Sequence, residues 1–269
     1  MINEVEAIIR RVGAEQVMAR FRQLEAGDIN EKSGPGDLVT IADRECELGL
    51  IPELQAIRNV PVVGEEGVAM NPSLVDAVAN PEGAWIVDPV DGTSNFVDGS
   101  PDFAVMVAYA EQGASVAAWV WLPVPDVMVV AERGSGAFRT EAGNQQQVLA
   151  PTNGDRQRGI VKDKWVGDDE RARFAAATQP IERIPDRRCA GVEYLDLVDG
   201  GFELLTYWRT HPWDHAPGTL IATEAGLVSR RFDGSDYRVG APDVGLITGH
   251  ESGVAAILAR LGEESANHD

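Results

Sequence analysis

Residues Trp85–Phe96 read WIVDPVDGTSNF. Three apolar residues run into Asp88 and Asp91, with Pro89 between the two acids and Gly92-Thr93 directly after them. The apolar run predicts a buried strand over 84–87. Pro89 fixes φ and lacks an N–H, so regular pairing is expected to stop there. In a straight strand, residues three apart face opposite ways. A turn at Pro89 brings both carboxylates to one place. Two close carboxylates repel, and one holds a proton unless a cation relieves the conflict. Hard oxygen ligands suit Mg²⁺ or Ca²⁺, and a few carboxylates shared with phosphate oxygens and water suit Mg²⁺ in particular. The Val90 carbonyl is a further candidate ligand. Gly92 lets the backbone approach a ligand closely. A helix starting at Thr93 would present free N–H groups to a phosphate. Read alone, the stretch is also ordinary turn sequence. The strand leading into it favours a site, because ligands gather at strand ends in α/β folds.

Three other acidic stretches bear on this one. VVGEEG (62–67) ends a predicted strand over 59–64 in Glu65 and Glu66. By itself it reads as a solvated acidic turn. HPWDHAPG (211–218) places Asp214 just before a helix predicted over 217–225, where its oxygens serve either as an N-cap or as metal ligands. His215 beside it reads as a packed or solvent-facing histidine. KSGPGDLVTIAD (32–43) adds Asp37 and Asp43, which singly read as turn and helix-start aspartates.

Taken together, Glu65 in GEE, WIVDPVDGTSNF and PWDHAPG resemble the inositol monophosphatase family of Mg²⁺-dependent, lithium-sensitive phosphatases. The resemblance extends through KSGPGDLVTIAD and TEAGLV (223–228) over nearly the whole chain. It implies a mixed α/β fold, a layered α-β-α-β-α sandwich, commonly homodimeric. It implies that Glu65, Asp88 and the Val90 carbonyl hold a first Mg²⁺, that Asp88, Asp91 and Asp214 hold a second, and that a third binds near Glu65. Gly92 and Thr93 match the family's phosphate-contacting pair. Glu65, Thr93 and Asp43 match catalytic positions around the attacking water, which acts in line without a covalent enzyme intermediate. On the leaving-group side the resemblance brings in Asp91, Ala190, Tyr207 and Arg209. Tyr207 departs from the animal members, which carry a polyol-binding glutamate seven residues before the WD aspartate. Inositol-1-phosphate is the default substrate. Arg209 or Arg188 would favour a second anionic group, as in 3′-phosphoadenosine-5′-phosphate or fructose-1,6-bisphosphate, and histidinol phosphate is a further alternative. A catalytically idle Mg²⁺-binding regulatory protein is the reading of another class. The presence of every matched acid and of Thr93 counts against it.

Composition agrees with a small-molecule enzyme. The chain has 269 residues, 44% of them hydrophobic, with 43 acids against 23 bases and a net charge of −20. Such a chain offers no basic track for a nucleic-acid polymer. Cys46 and Cys189 lie far apart in no metal-binding spacing, which fits reduced thiols. The N-terminal MINEVEAIIRR lacks the apolar core of a signal peptide, and no apolar run is long enough to span a membrane. A cytoplasmic protein is expected. We expect one catalytic domain with lobes at about 1–148 and 149–262 and a tail at 263–269. Helical periodicity covers 3–26, ending at Gly27, and 41–56, bent or broken at Pro52. Strands are predicted at 103–110, 115–121, 127–132, 201–208 and 244–248, with an edge strand at 134–140. Further helices are predicted at 168–177, 191–199 and 252–261.

Overall fold

The computed structural model describes residues 1–32, 34, 38–152, 157–242 and 244–266. Asp37 lies outside them. The chain begins with helix α1 (Ile2–Gly13), the short strands β1 (Ile29–Glu31) and β2 (Leu38–Thr40), and helix α2 (Ile41–Ile57). Strand β3 (Val62–Gly64) runs straight into α3 (Glu65–Met70). Strand β4 (Ala84–Asp91) turns into α4 (Thr93–Val97). A meander follows: β5 (Ala104–Glu111), β6 (Ala114–Leu122), β7 (Val127–Glu132), β8 (Gly136–Glu141) and β9 (Asn144–Val148). Next come β10 (Arg158–Val161), α5 (Asp168–Thr178), β11 (Glu182–Arg183), α6 (Ala190–Val198) and β12 (Leu204–Tyr207). The chain closes with α7 (Pro212–Glu224), β13 (Val228–Arg231), β14 (Leu246–Gly249) and α8 (Glu251–Ala266).

Strands β3 to β9 form a seven-stranded sheet in sequence order, and a five-stranded sheet has the order β11-β10-β12-β14-β13. The layers follow from which faces are apolar. On β4, Trp85 and Val87 point to one side and Ala84 and Ile86 to the other, and both sides are covered. Val5, Ile9 and Val12 of α1 and Leu50 and Leu54 of α2 pack on the first side, against Trp85, Tyr109 and Trp119. Tyr194 and Leu195 of α6 and Ile221 of α7 fill the space between the sheets, touching Met106 and Val120 on one and Leu205 and Leu246 on the other. Ala177 of α5 and Val254, Ile257 and Leu261 of α8 cover the outer face of the smaller sheet at Leu204 and Ile247. The result is the expected α-β-α-β-α sandwich. Each large apolar side chain buried in these layers contributes about 1.5–3 kcal/mol.

Three local expectations change. The first helix stops at Gly13, continues as one π-helical stretch at Ala14–Met18, and turns well before Gly27. Pro52 does not break α2. The carbonyl it leaves without a donor belongs to Leu48, a residue 63% exposed, so water can replace the lost bond. The stretch at 134–140 is not an edge, because β9 pairs outside β8. Its all-polar NQQQ run hides the strand from a hydrophobicity reading.

Candidate active site

The site is built on an irregularity. Strand β4 does not end at Pro89. It stays paired with β5, Asp88 opposite Met106 and Asp91 opposite Ala104, with the register shifting between the two acids. The bulge absorbs the missing proline donor and turns the alternation, so that Asp88 and Asp91 are brought into one neighbourhood. Val90 donates its N–H to Asp88 Oδ1 at 3.1 Å, closing a tight turn around the carboxylate. Gly92 then takes φ +86°, and α4 begins at Thr93. Thr93 Oγ1 lies 3.0 Å from both Asp43 Oδ1 and the Val90 carbonyl. Its single proton can serve one of them at a time.

Asp43 is fully buried on the first turn of α2, where it completes a capping box with Thr40. Its Oδ2 accepts from the Thr40 N–H at 2.8 Å and from Thr40 Oγ1 at 2.5 Å. The carboxylate is therefore held rigidly toward Thr93. Burial pushes its pKa up to about 6, against the opposing hydrogen bonds from Thr40.

The other acids arrive from distant parts of the chain. Glu65 opens α3 at the end of β3, beside β4 in the sheet. Asp214 sits in the first turn of α7, behind Pro212. The N-cap of α7 is His211, because the helix starts at Pro212 and not at 217, so Asp214 is not the capping residue. Asp88 is held well above the usual carboxylate range by burial first and then by the charges of Glu65, Asp91 and Asp214. Asp214 is raised likewise, by burial and then by Asp91 and Glu65. Four carboxylates thus share one field inside the protein. Asp91 is raised by burial, against N–H donation from Gly191 at 2.6 Å and thiol donation from Cys189 at 3.0 Å.

Among the described residues, no three histidine, cysteine or acidic side chains already stand together in coordination geometry. Lys32 Nζ lies between Glu65 Oε1 at 2.7 Å and Glu66 Oε1 at 2.5 Å. Burial would lower its pKa, but the two glutamates outweigh that and hold it charged. The donor set itself, carboxylates plus the Val90 carbonyl, is hard oxygen and fits a divalent cation such as Mg²⁺.

Several participants were not singled out from the sequence. Glu47 of α2 is buried and accepts the N–H groups of Glu66 at 2.9 Å and Gly67 at 2.7 Å. It therefore anchors the first turn of α3, which carries Glu65. Cys189 caps α6 and contacts Asp91. Glu193 lies fully buried and accepts from Tyr207 Oη at 2.5 Å, Lys162 Nζ at 2.8 Å and the Arg187 N–H at 2.8 Å. The residue seven before Asp214 is thus a tyrosine that bonds to an acid from another helix, an arrangement no local pattern shows. Ala190 starts α6 next to these contacts, and Arg209 stands exposed beyond Tyr207. His215 is fully buried, its ring nitrogens 3.1 Å from Tyr194 Oη and from the Arg209 carbonyl. Burial lowers its pKa to about 3, so it is a neutral packing residue.

Glu65 and Asp214 border a cleft of about 1280 Å³ that also reaches Lys32, Trp165 and Arg209. A layered sugar-phosphatase-type sandwich with an acidic centre at its bulged strand β4 is the class this fold and site define. The chain matches the model of the inositol monophosphatase family over residues 2–265. It belongs to the inositol monophosphatase family, whose members are phosphoric monoester hydrolases. It is 44% identical over 214 residues to the inositol-1-monophosphatase of Rhizobium meliloti, covering 75% of this chain and 74% of that one. It is 32% identical over 243 residues to the Nus factor SuhB of Vibrio cholerae, covering 86% and 85%. The solved structure of the Thermotoga maritima IMPase superposes with a TM-score of 0.75 at 24% identity, over 97% of this chain and 96% of that one, and shares the fold. No helix among the described residues is long and apolar enough to cross a membrane.

Proposed function

We propose that this protein is a Mg²⁺-dependent phosphomonoesterase acting on a small phosphorylated polyol, with inositol-1-phosphate as the reference substrate. One observation carries the reading: Asp88 and Asp91 of the bulged β4, Asp214 of α7 and Glu65 of α3 converge, and burial together with the neighbouring carboxylate charges holds Asp88 and Asp214 well above the usual carboxylate range. Such a cluster is costly unless cations join it. Glu65, Asp88 and the Val90 carbonyl would hold one ion, and Asp88, Asp91 and Asp214 another. Bound there, the ions supply charge neutralisation of the phosphoryl group and acidification of water.

The chain's own residues do the rest. The Gly92-Thr93 turn offers its backbone N–H groups to the phosphate. The Thr93 hydroxyl, held by Asp43, orients the attacking water and can pass a proton toward that carboxylate. Lys32 balances Glu65 and Glu66 at the cleft edge. Asp91, fixed by Cys189 and Gly191, faces the leaving-group side together with Ala190 and Tyr207. The family resemblance supports a homodimer. Two buried free cysteines support a reducing, cytoplasmic compartment.

The test is Asp88→Asn. Phosphate release from inositol-1-phosphate with Mg²⁺ should fall by at least about 10²-fold, since even outer partners of a metal site are worth 10–100-fold. Melting temperature without divalent ions should hold or rise, because an amide there never carries the charge that burial and the neighbouring carboxylates oppose. A folded variant with full activity would rule this centre out.

A further inference from the structure

Trp165 is large, apolar and 49% exposed. It follows β10 and lies in the wall of the cleft that Glu65 and Asp214 border. Two cations rest on it. The Arg209 guanidinium is 3.6 Å from the ring centroid, and Lys164 Nζ is 4.7 Å from it. A stacked guanidinium uses its face and keeps its in-plane N–H donors free.

Among the described residues, neither Lys164 nor Arg209 has a side-chain hydrogen bond or an ion pair. Their neighbour Lys162 differs, bonding Glu193 at 2.8 Å. The cations that act most on Asp214 are Lys162 and Lys32. Arg209 and Lys164 therefore do not chiefly serve the reacting centre. In a chain of net charge −20, two unpaired cations braced on one exposed indole beside an acid-lined cleft point to an anion from outside. A substrate whose scissile phosphate meets the carboxylates would extend its leaving group along this wall.

We propose that Arg209 and Lys164, braced on Trp165, form a second anion subsite, and that the preferred substrate is a phosphate ester whose leaving group carries another phosphate. The proposal rests on the hydrolase reading above and specifies its leaving group. The second phosphate could belong to a sugar or to a nucleotide, and the two are separable.

The experiment measures kcat/KM for phosphate release by the full chain with Mg²⁺ on two matched pairs. They are fructose-1,6-bisphosphate against fructose-1-phosphate, and 3′-phosphoadenosine-5′-phosphate against adenosine-3′-phosphate. The bisphosphate should exceed its monophosphate at least about tenfold in one pair, and Arg209→Met and Lys164→Met should each cut that ratio by about tenfold, the scale of one lost charge-assisted contact. Preference within the adenosine pair assigns the phosphate to a nucleotide and within the fructose pair to a sugar, and either supports the subsite. Equal values within both pairs, or a ratio unmoved by both substitutions, overturns it while leaving the hydrolase reading intact. No release from any of the four esters or from inositol-1-phosphate overturns both.

Discussion

Gly92→Ala tests the bulge-and-turn construction directly. Gly92 has φ +86°, a left-handed conformation that costs an L-residue about 1–2 kcal/mol. A methyl group there would also meet the Asp102 carbonyl oxygen and Cys189 Cβ, each at 3.0 Å, and the Arg188 carbonyl oxygen at 3.3 Å. Two of the three atoms are backbone, so relief requires moving chain. Overpacking of this kind adds about 1–3 kcal/mol. The sum is about 2–5 kcal/mol, or roughly 4–20 °C in melting temperature at about 2–4 °C per kcal/mol. Gly226→Ala is the control. Its φ is +98°, yet no neighbouring atom lies within 4 Å of the added carbon. It should lose only the conformational part, about 1–2 kcal/mol. Activity separates the two further. The turn at Gly92 sits between Asp91 and Thr93, and a displacement of about 1 Å can cost 10²-fold in rate. Gly226 follows α7, away from these residues. Differential scanning calorimetry and phosphate release on both variants decide the matter. Equal destabilisation with unchanged turnover in Gly92→Ala would refute the argument that this turn is packed for a purpose.

Three other outcomes follow from the acidic cluster and its anchor. Asp43 and Glu66, raised to about 6 and about 7 by burial, bind protons more readily in the folded chain than in the unfolded one. Without divalent ions, their contribution to stability is therefore lost as pH rises from the ordinary carboxylate range through those values. Mg²⁺ must displace protons, so its affinity and its thermal stabilisation should grow between pH 5 and pH 8, by up to about tenfold in affinity per pH unit for each proton released. A Mg²⁺-induced melting shift that is flat across this range would contradict the shared site. Glu47→Gln leaves one of the two α3 N–H groups facing an amide NH₂ instead of a carboxylate oxygen. It should weaken Mg²⁺ binding about 10–100-fold by isothermal titration, the scale for residues that orient ligands. Wild-type affinity in this variant would show that Glu65 needs no such anchor.

Strands β5 to β8 of the meander, the amphipathic α1, and the local grammar of WIVDPVDGTSNF and GEE are legible from the residues alone. These are written in neighbouring residues, as apolar alternation and as Gly and Pro where the backbone must turn. The sequence also carried the family, because three spaced motifs are enough to identify it. What it did not determine is everything made by residues distant in the chain. The continuation of β4 through Pro89 required β5 as a partner that tolerates a bulge. The anchoring of α3 required Glu47 from α2, 19 residues before Glu66. The neutral His215, the Tyr207–Glu193 pair and the cation-braced Trp165 depend on which helix lies across from which strand. Periodicity reports which face of an element is buried. Only packing the layers decides what that face meets, and a side chain's charge state and chemistry follow from what it meets.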